Sequence, residues 1–222
     1  MSRARDLELL EARLRADFPE VEEPADPIWT APPAWKVIDC VLSLNRNYDR
    51  FVWPRVAAFG ESHPELRSVA GLARLLESYP TPRAFGEAEL GTRDGRRMET
   101  LRGVVLHLLG VLPQFPGATE EERLEAWARD ARPGDFLGAG IRGFALAGWQ
   151  YLRMLFGAQT LKPDVHLQRY VEEAVGHPVT PVQALYLLED AGRRLGLPLR
   201  SLDVRIWERG ARGGHREPGG SA

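Results

Sequence analysis

The chain is 222 residues long, 44% hydrophobic and 27% charged, with 29 basic and 31 acidic residues and a formal net charge of −2. That length and apolar content fit a folded chain with a substantial core and exclude general disorder, while the near-neutral balance excludes a global attraction to nucleic acid, so any DNA contact has to be local. A single cysteine, Cys40, excludes an internal disulfide and any four-cysteine zinc or iron–sulfur site.

The opening MSRARDLELLEARLRADF is charged throughout and places Leu7, Leu10 and Leu14 on one face of a helix. Its rhythm is helical and unlike an export signal, and no run in the chain approaches the roughly 18 to 20 apolar residues of a membrane helix, so a cytoplasmic protein without a membrane partner is expected. FPEVEEPADPIWTAPPAW follows, an extended connector by its prolines and acids. Helical patterning resumes in AWKVIDCVLSLN, YDRFVWPRVAAF, SVAGLARLLESY, TPRAFGEAEL and RRMETLRGVVLHLLGVL, separated by short polar or proline breaks. In TEEERLEAWARDA, Thr119 and Glu122 have the spacing of a capping box.

RPGDFLGAGIRGFALAGWQYLRMLF comes next, then LKPDVHLQRYV, TPVQALYLLEDAGRRLG and SLDVRIWERGA. No stretch alternates as a strand does, so the expected fold class is all-α. The tail from residue 209 is glycine-rich and is expected to be disordered. Basic residues are almost all arginine, the two lysines being Lys36 and Lys162.

Two stretches carry chemistry. Gly138, Gly140 and Gly143 fall between two helical runs, where a tight turn presents several N–H groups near a helix N-terminus, with Arg142 inside the turn. A phosphate suits such a turn, and a plain glycine C-cap is the other reading. After one further helix and a short loop comes Asp164. Its position after Lys162 and Pro163 suits a helix N-cap and equally a fixed carboxylate that stabilises developing positive charge. Trp149 and Tyr151, at helical spacing among Ala145, Leu152 and Leu155, read as core, with base stacking as the alternative.

This order resembles the helix-hairpin-helix DNA glycosylases of the endonuclease III superfamily, over residues 36 to 171. The matching residues are Gly138 to Gly143, Phe156, Gly157, Pro163, Asp164 and His166, and VLSLNRNYDRF is similar to the family's early helix and loop, notably in the 8-oxoguanine glycosylases. Two registers compete for the hairpin core, Gly138-Ala139-Gly140 and Gly140-Ile141-Arg142, the second with arginine in place of a family glycine.

The resemblance implies two helical lobes: residues 35–156, which carry the hairpin, and residues 1–20 with 163–208. It implies Asp164 as the catalytic carboxylate, and Gly138, Gly140, Ile141, Arg142 and Gly143 of the hairpin as DNA contacts. His166 would touch a phosphate, against an ordinary first-turn histidine, and Asn45, Arg46 and Asn47 would fill the gap left by an extruded base, against a polar helix terminus. Bifunctional relatives carry a lysine about 18 to 20 residues before the aspartate; Phe144, Ala145 and Leu146 stand there in this chain. The implied activity is a monofunctional glycosylase that flips a damaged or mismatched base of duplex DNA into a cleft and cuts its glycosidic bond. A monomer with no metal or cofactor is expected, and the alternative is a non-catalytic DNA-binding or lesion-sensing protein.

Overall fold

In the computed structural model, residues 2–22 and 27–213 are described. Among them are twelve α-helices and no strand, so the protein is all-α. In chain order these are α1 (Arg3–Asp17), α2 (Pro33–Leu42), α3 (Trp53–Ser62), α4 (Val69–Glu77), α5 (Pro82–Glu89), α6 (Gly95–Val111), α7 (Glu120–Asp130), α8 (Phe136–Ala139), α9 (Leu146–Leu155), α10 (Val165–Val175), α11 (Pro181–Leu195) and α12 (Leu199–Gly213). None is long and apolar enough to cross a membrane.

The chain divides into two compact units, one of residues Met1–Ala25 with Gln159–Ala222 and the other of Asp26–Ala158. In the first, α1 packs against α10 and α11, and α10 also packs against α12. The stripe Leu7, Leu10 and Leu14 is buried on α1, as are Leu167 and Val171 on α10, Leu185 and Leu188 on α11, and Leu202 and Ile206 on α12. Each set recurs at three- or four-residue intervals, which is why these segments bury one face and expose the other. In the second unit α6 is the central helix, touching α2, α4 and α5, while α2 also packs on α9. Val37, Val41, Phe59, Leu72, Phe85 and Val104 belong to its core.

Local signals set most helix starts. Thr119 accepts the Glu122 amide while the Glu122 carboxylate takes the Thr119 amide, the reciprocal cap that the sequence predicts. Ser2, Ser68, Thr81 and Thr180 cap four other helices in the same side-chain-to-amide manner.

Three expectations need correction. The connector is not extended throughout: Pro27–Thr30 form a 3₁₀ turn that buries Ile28, and residues 23–26 lie outside the described residues. YDRFVWPRVAAF is not one α-helix. Tyr48–Val52 form a π-helix and α3 starts at Trp53; Pro54 lacks an N–H and suits the first turn of a new helix. Finally, α12 continues to Gly213, so residues 209–213 are helical, and the rest of the expected tail, 214–222, lies outside the described residues. Leu10 is fully buried, so Leu10→Ala should cost about 2–5 kcal/mol of stability, read as a lowered midpoint in urea unfolding.

Candidate functional site

The glycine segment is a short helix, a tight turn and a longer helix. A 3₁₀ turn at Pro133–Asp135 leads into α8, whose C-cap Gly140 is left-handed at φ +61°. Gly143 is left-handed as well, at φ +78°. A Cβ there would stand 2.9 Å from the Thr100 hydroxyl, so strain and crowding both favour glycine. The turn proper therefore spans residues 140–143. Gly138 lies inside α8, away from that turn, with open space where a Cβ would be.

Two side chains fix the segment, one at the turn and one at its start. The Thr100 hydroxyl on α6 donates to the Arg142 carbonyl at 2.9 Å, and the Trp149 indole on α9 donates to the Arg132 carbonyl at 2.9 Å. Trp149 is buried, and so is Tyr151, whose hydroxyl donates to Asp39 Oδ1 at 2.7 Å. Both are core residues. The α9 N-cap, Ala145, has no side chain to accept the first amides of that helix, and the Arg142 side chain is exposed and in no salt bridge among the described residues.

The second candidate loop, Asn45, Arg46 and Asn47, follows α2. Its conformation is set by Arg97, one turn before Thr100 on α6. The Arg97 Nη1 group donates to the carbonyls of Val41, Leu42 and Leu44 at 2.8, 3.1 and 2.7 Å. This guanidinium closes the negative end of α2, and Asn45 then turns left-handed at φ +52°. Asn47 caps the π-helix, its Oδ1 accepting the Arg50 amide at 2.8 Å. Arg46 is exposed, lies over the Phe51 ring and approaches Asp94 at 3.4 Å.

Burial raises the Asp94 pKa, but the hydrogen bonds and charge of Arg97, with the Arg46 charge, outweigh it and hold that carboxyl below the ordinary aspartate value. Leu44 joins the loop to α9: a Cβ on Gly148 would come within 2.9 Å of Leu44 and 2.7 Å of Phe144. The glycine turn and the asparagine loop are thus anchored on α6 and α9.

Asp164 and His166 belong to the other unit. Asp164 is the N-cap of α10, with Oδ1 accepting the amides of His166 at 2.9 Å and Leu167 at 3.2 Å. The capping role is present, and Oδ2 takes no hydrogen bond among the described residues. Val165, next to it, is 69% exposed. The His166 ring lies over Gly210 of α12, where a Cβ would sit 2.5 Å from Nδ1. It lines a cavity of about 390 Å³ with Arg169, Tyr170, Glu173 and Arg209, so it is a packed residue at the rim of a mostly cationic pocket.

The loop that delivers Asp164 is held by two buried acids. The Thr160 hydroxyl donates to Glu189 Oε1 at 2.7 Å, and Glu189 is paired with Arg193 at 2.8 Å. The Lys162 amide donates to Asp203 Oδ1 at 2.6 Å. Asp203 is buried and forms no salt bridge among the described residues. Burial, then the charge of Asp164, push its carboxyl up to about 8, against weaker opposing effects of the Lys162 amide and charge.

A family described as a domain of unknown function (DUF8548) matches residues 139–211. That third of the chain runs from the glycine turn through Asp164 to α12 and includes Asp203. No curated protein and no solved structure matches the chain.

Asp203, Arg97 and Thr100 escape a reading of the sequence for different reasons. Asp203 carries a signal: it sits on the stripe Leu199, Leu202, Asp203, Ile206, an acid at an apolar position of an amphipathic helix. Arg97 and Thr100 act on backbone 42 to 56 residues away, for which no local pattern exists.

Two outcomes are expected. Arg97→Met keeps the stem but removes the donors to three carbonyls, and should cost about 3 kcal/mol, measured by urea unfolding. For Asp203, the folded chain keeps a proton that the unfolded chain releases near the ordinary aspartate value of 3.8, so stability falls as pH rises from about 4 and is fully lost above about 8. The difference in thermal midpoint between the wild type and Asp203→Asn should trace that fall, with the wild type losing ground as the pH rises.

Proposed function

We propose that the protein is a monofunctional DNA glycosylase in which Asp164 supports cleavage of the bond between the sugar and a damaged or mismatched base. The observation that carries this reading is the state of Asp164: one carboxylate oxygen is committed to the first amides of α10 and the other takes no hydrogen bond among the described residues. A carboxylate so oriented has an oxygen available to an incoming positive centre. As the C1′–N bond breaks, its electron pair leaves with the base and positive charge grows on the sugar. The Asp164 carboxylate stabilises that charge, water then adds to C1′, and the water's proton is lost to solvent.

Binding is assigned to the other unit's two loops. The hairpin turn offers glycine-rich backbone and the uncapped amides of α9 to a phosphate, with the Arg142 side chain alongside. Asn45, Arg46 and Asn47 supply polar side chains to the unpaired partner base, and His166, with Arg169 and Arg209 near it, a further phosphate contact. The absence of a lysine between Lys36 and Lys162 argues against a Schiff-base route to strand cleavage. Phe144, at the start of the lysine window, is buried in the core. One observation favours the second reading, a DNA-binding protein without turnover: capping alone gives Asp164 a structural role.

Asp164→Asn separates the two, since asparagine caps a helix about as well as aspartate but carries no charge. In single-turnover reactions on duplexes each holding one lesion or mismatch, the wild type should give alkali-dependent strand breaks on at least one. Asp164→Asn should bind that duplex with similar affinity and cut it about 100-fold more slowly or worse. Binding should weaken steeply with added salt. Wild-type binding with no base released from any duplex rejects catalysis in favour of the second reading.

A further inference from the structure

We infer that Asp203 is a positioning residue for Asp164: from α12 it holds, through the Lys162 amide, the turn that carries the acid, and sets a second carboxyl beside it. The kinetic part of this inference rests on the glycosylase reading; the structural part does not.

The geometry is a relay through one residue. Lys162 gives its N–H to Asp203 Oδ1 at 2.6 Å, and its carbonyl accepts the Asp164 amide at 2.7 Å. Pro163, between them, has no N–H and a restricted φ, so the turn has little freedom once Lys162 is fixed. Asp164 in turn caps α10. Asp203, the Lys162 backbone, Asp164 and the first amides of α10 form a continuous chain of hydrogen bonds, so a displacement of α12 at Asp203 is transmitted to the Asp164 carboxylate.

Glu189 offers a comparison. It holds the same loop at Thr160 but is neutralised by Arg193, so it is an ordinary ion-paired anchor. Asp203 has no such partner among the described residues. The charged groups acting on it are Asp164, which disfavours a second negative charge, and Lys162, which favours it more weakly; the α11 acid Glu189 is turned to Thr160 and Arg193, and α10 supplies no charge that acts on it. At neutral pH Asp203 therefore holds its proton. This is the arrangement expected when two carboxyls share a site and their environments differ. An amide acceptor would anchor Lys162 as well as a carboxyl does. What a carboxyl adds is a second charge that appears above about pH 8 and repels Asp164 across the turn.

The test compares Asp203→Asn, which keeps an acceptor for Lys162 but cannot ionise, with Asp203→Ala, which removes the acceptor. Single-turnover cleavage rates and thermal midpoints are measured from pH 6 to pH 9.5. The wild-type midpoint should fall up to about pH 8 and then level off, whereas the rate should hold to about pH 8 and fall about 10-fold by pH 9.5, as the Asp203 charge appears. Asp203→Asn should lose both the fall in midpoint below about pH 8 and the fall in rate above it, and at pH 7 should cut at least about 10-fold faster than Asp203→Ala. Asp164→Asn, read by midpoint alone, should make the fall level off at a lower pH, because one of the two causes that raise the Asp203 carboxyl is then gone. The inference is overturned if Asp203→Asn keeps the wild-type pH slope, if it cuts no faster than Asp203→Ala, or if Asp164→Asn leaves the slope in place. Should the wild type release no base from any duplex, the glycosylase reading fails and the midpoints still decide whether the two carboxyls are coupled: a shift in Asp164→Asn supports the pair, and none overturns it.

Discussion

Polar groups that leave a helix and enter a protein interior still require hydrogen-bond partners, and in this chain ionisable side chains from distant helices supply them. The end of α2 presents carbonyls, and a guanidinium, Arg97, meets three of them. The approach to α10 presents an amide at Lys162 and a hydroxyl at Thr160, and two carboxyls, Asp203 and Glu189, meet those. Polarity is matched in each case: a cation serves the acceptors and acids serve the donors. The shapes of both loops follow from these pairings, because a loop of a few residues has no ladder of its own to hold it.

The sign of the net charge says little about where charge is available. In the unit of α1 and α10–α12, much of the arginine is spent internally. Asp17 is paired with Arg13 and with Arg209 at 3.1 Å and accepts from the Tyr170 hydroxyl at 3.2 Å, while Arg194 reaches Glu11 at 3.3 Å. Around the glycine turn the balance differs. Arg96 and Arg142 are exposed and in no salt bridge among the described residues, so their field is directed outward. An acidic chain can in this way carry a local cationic surface, the condition that composition alone sets for any contact with a polyanion.

The helices were legible in the sequence because each buried stripe repeats at the helical interval, Leu7, Leu10 and Leu14 being the plainest case. Caps were legible where donor and acceptor lie within four residues, as at Thr119 with Glu122 and at Asp164. The turn was readable in outline, but not which glycines make it: only dihedral angles separate Gly140 and Gly143, which are left-handed, from Gly138, which is helical. What escaped were groups whose partners lie far along the chain. Arg97 looks like any helical arginine until the carbonyls of α2 are placed against it, and the 3₁₀ turn at Pro27–Thr30 depends on a burial site for Ile28 that no local pattern announces.

Gly148 has a consequence for the order in which the chain assembles. Leu44 and Phe144 both lie against its bare Cα, and they are separated from one another by 100 residues. The loop after α2 therefore lacks its final support until α9 has been made and docked, long after its own residues have left the ribosome. Contacts of such sequence separation form late and at high entropic cost, so the asparagine loop is among the last parts of its unit to acquire its native shape.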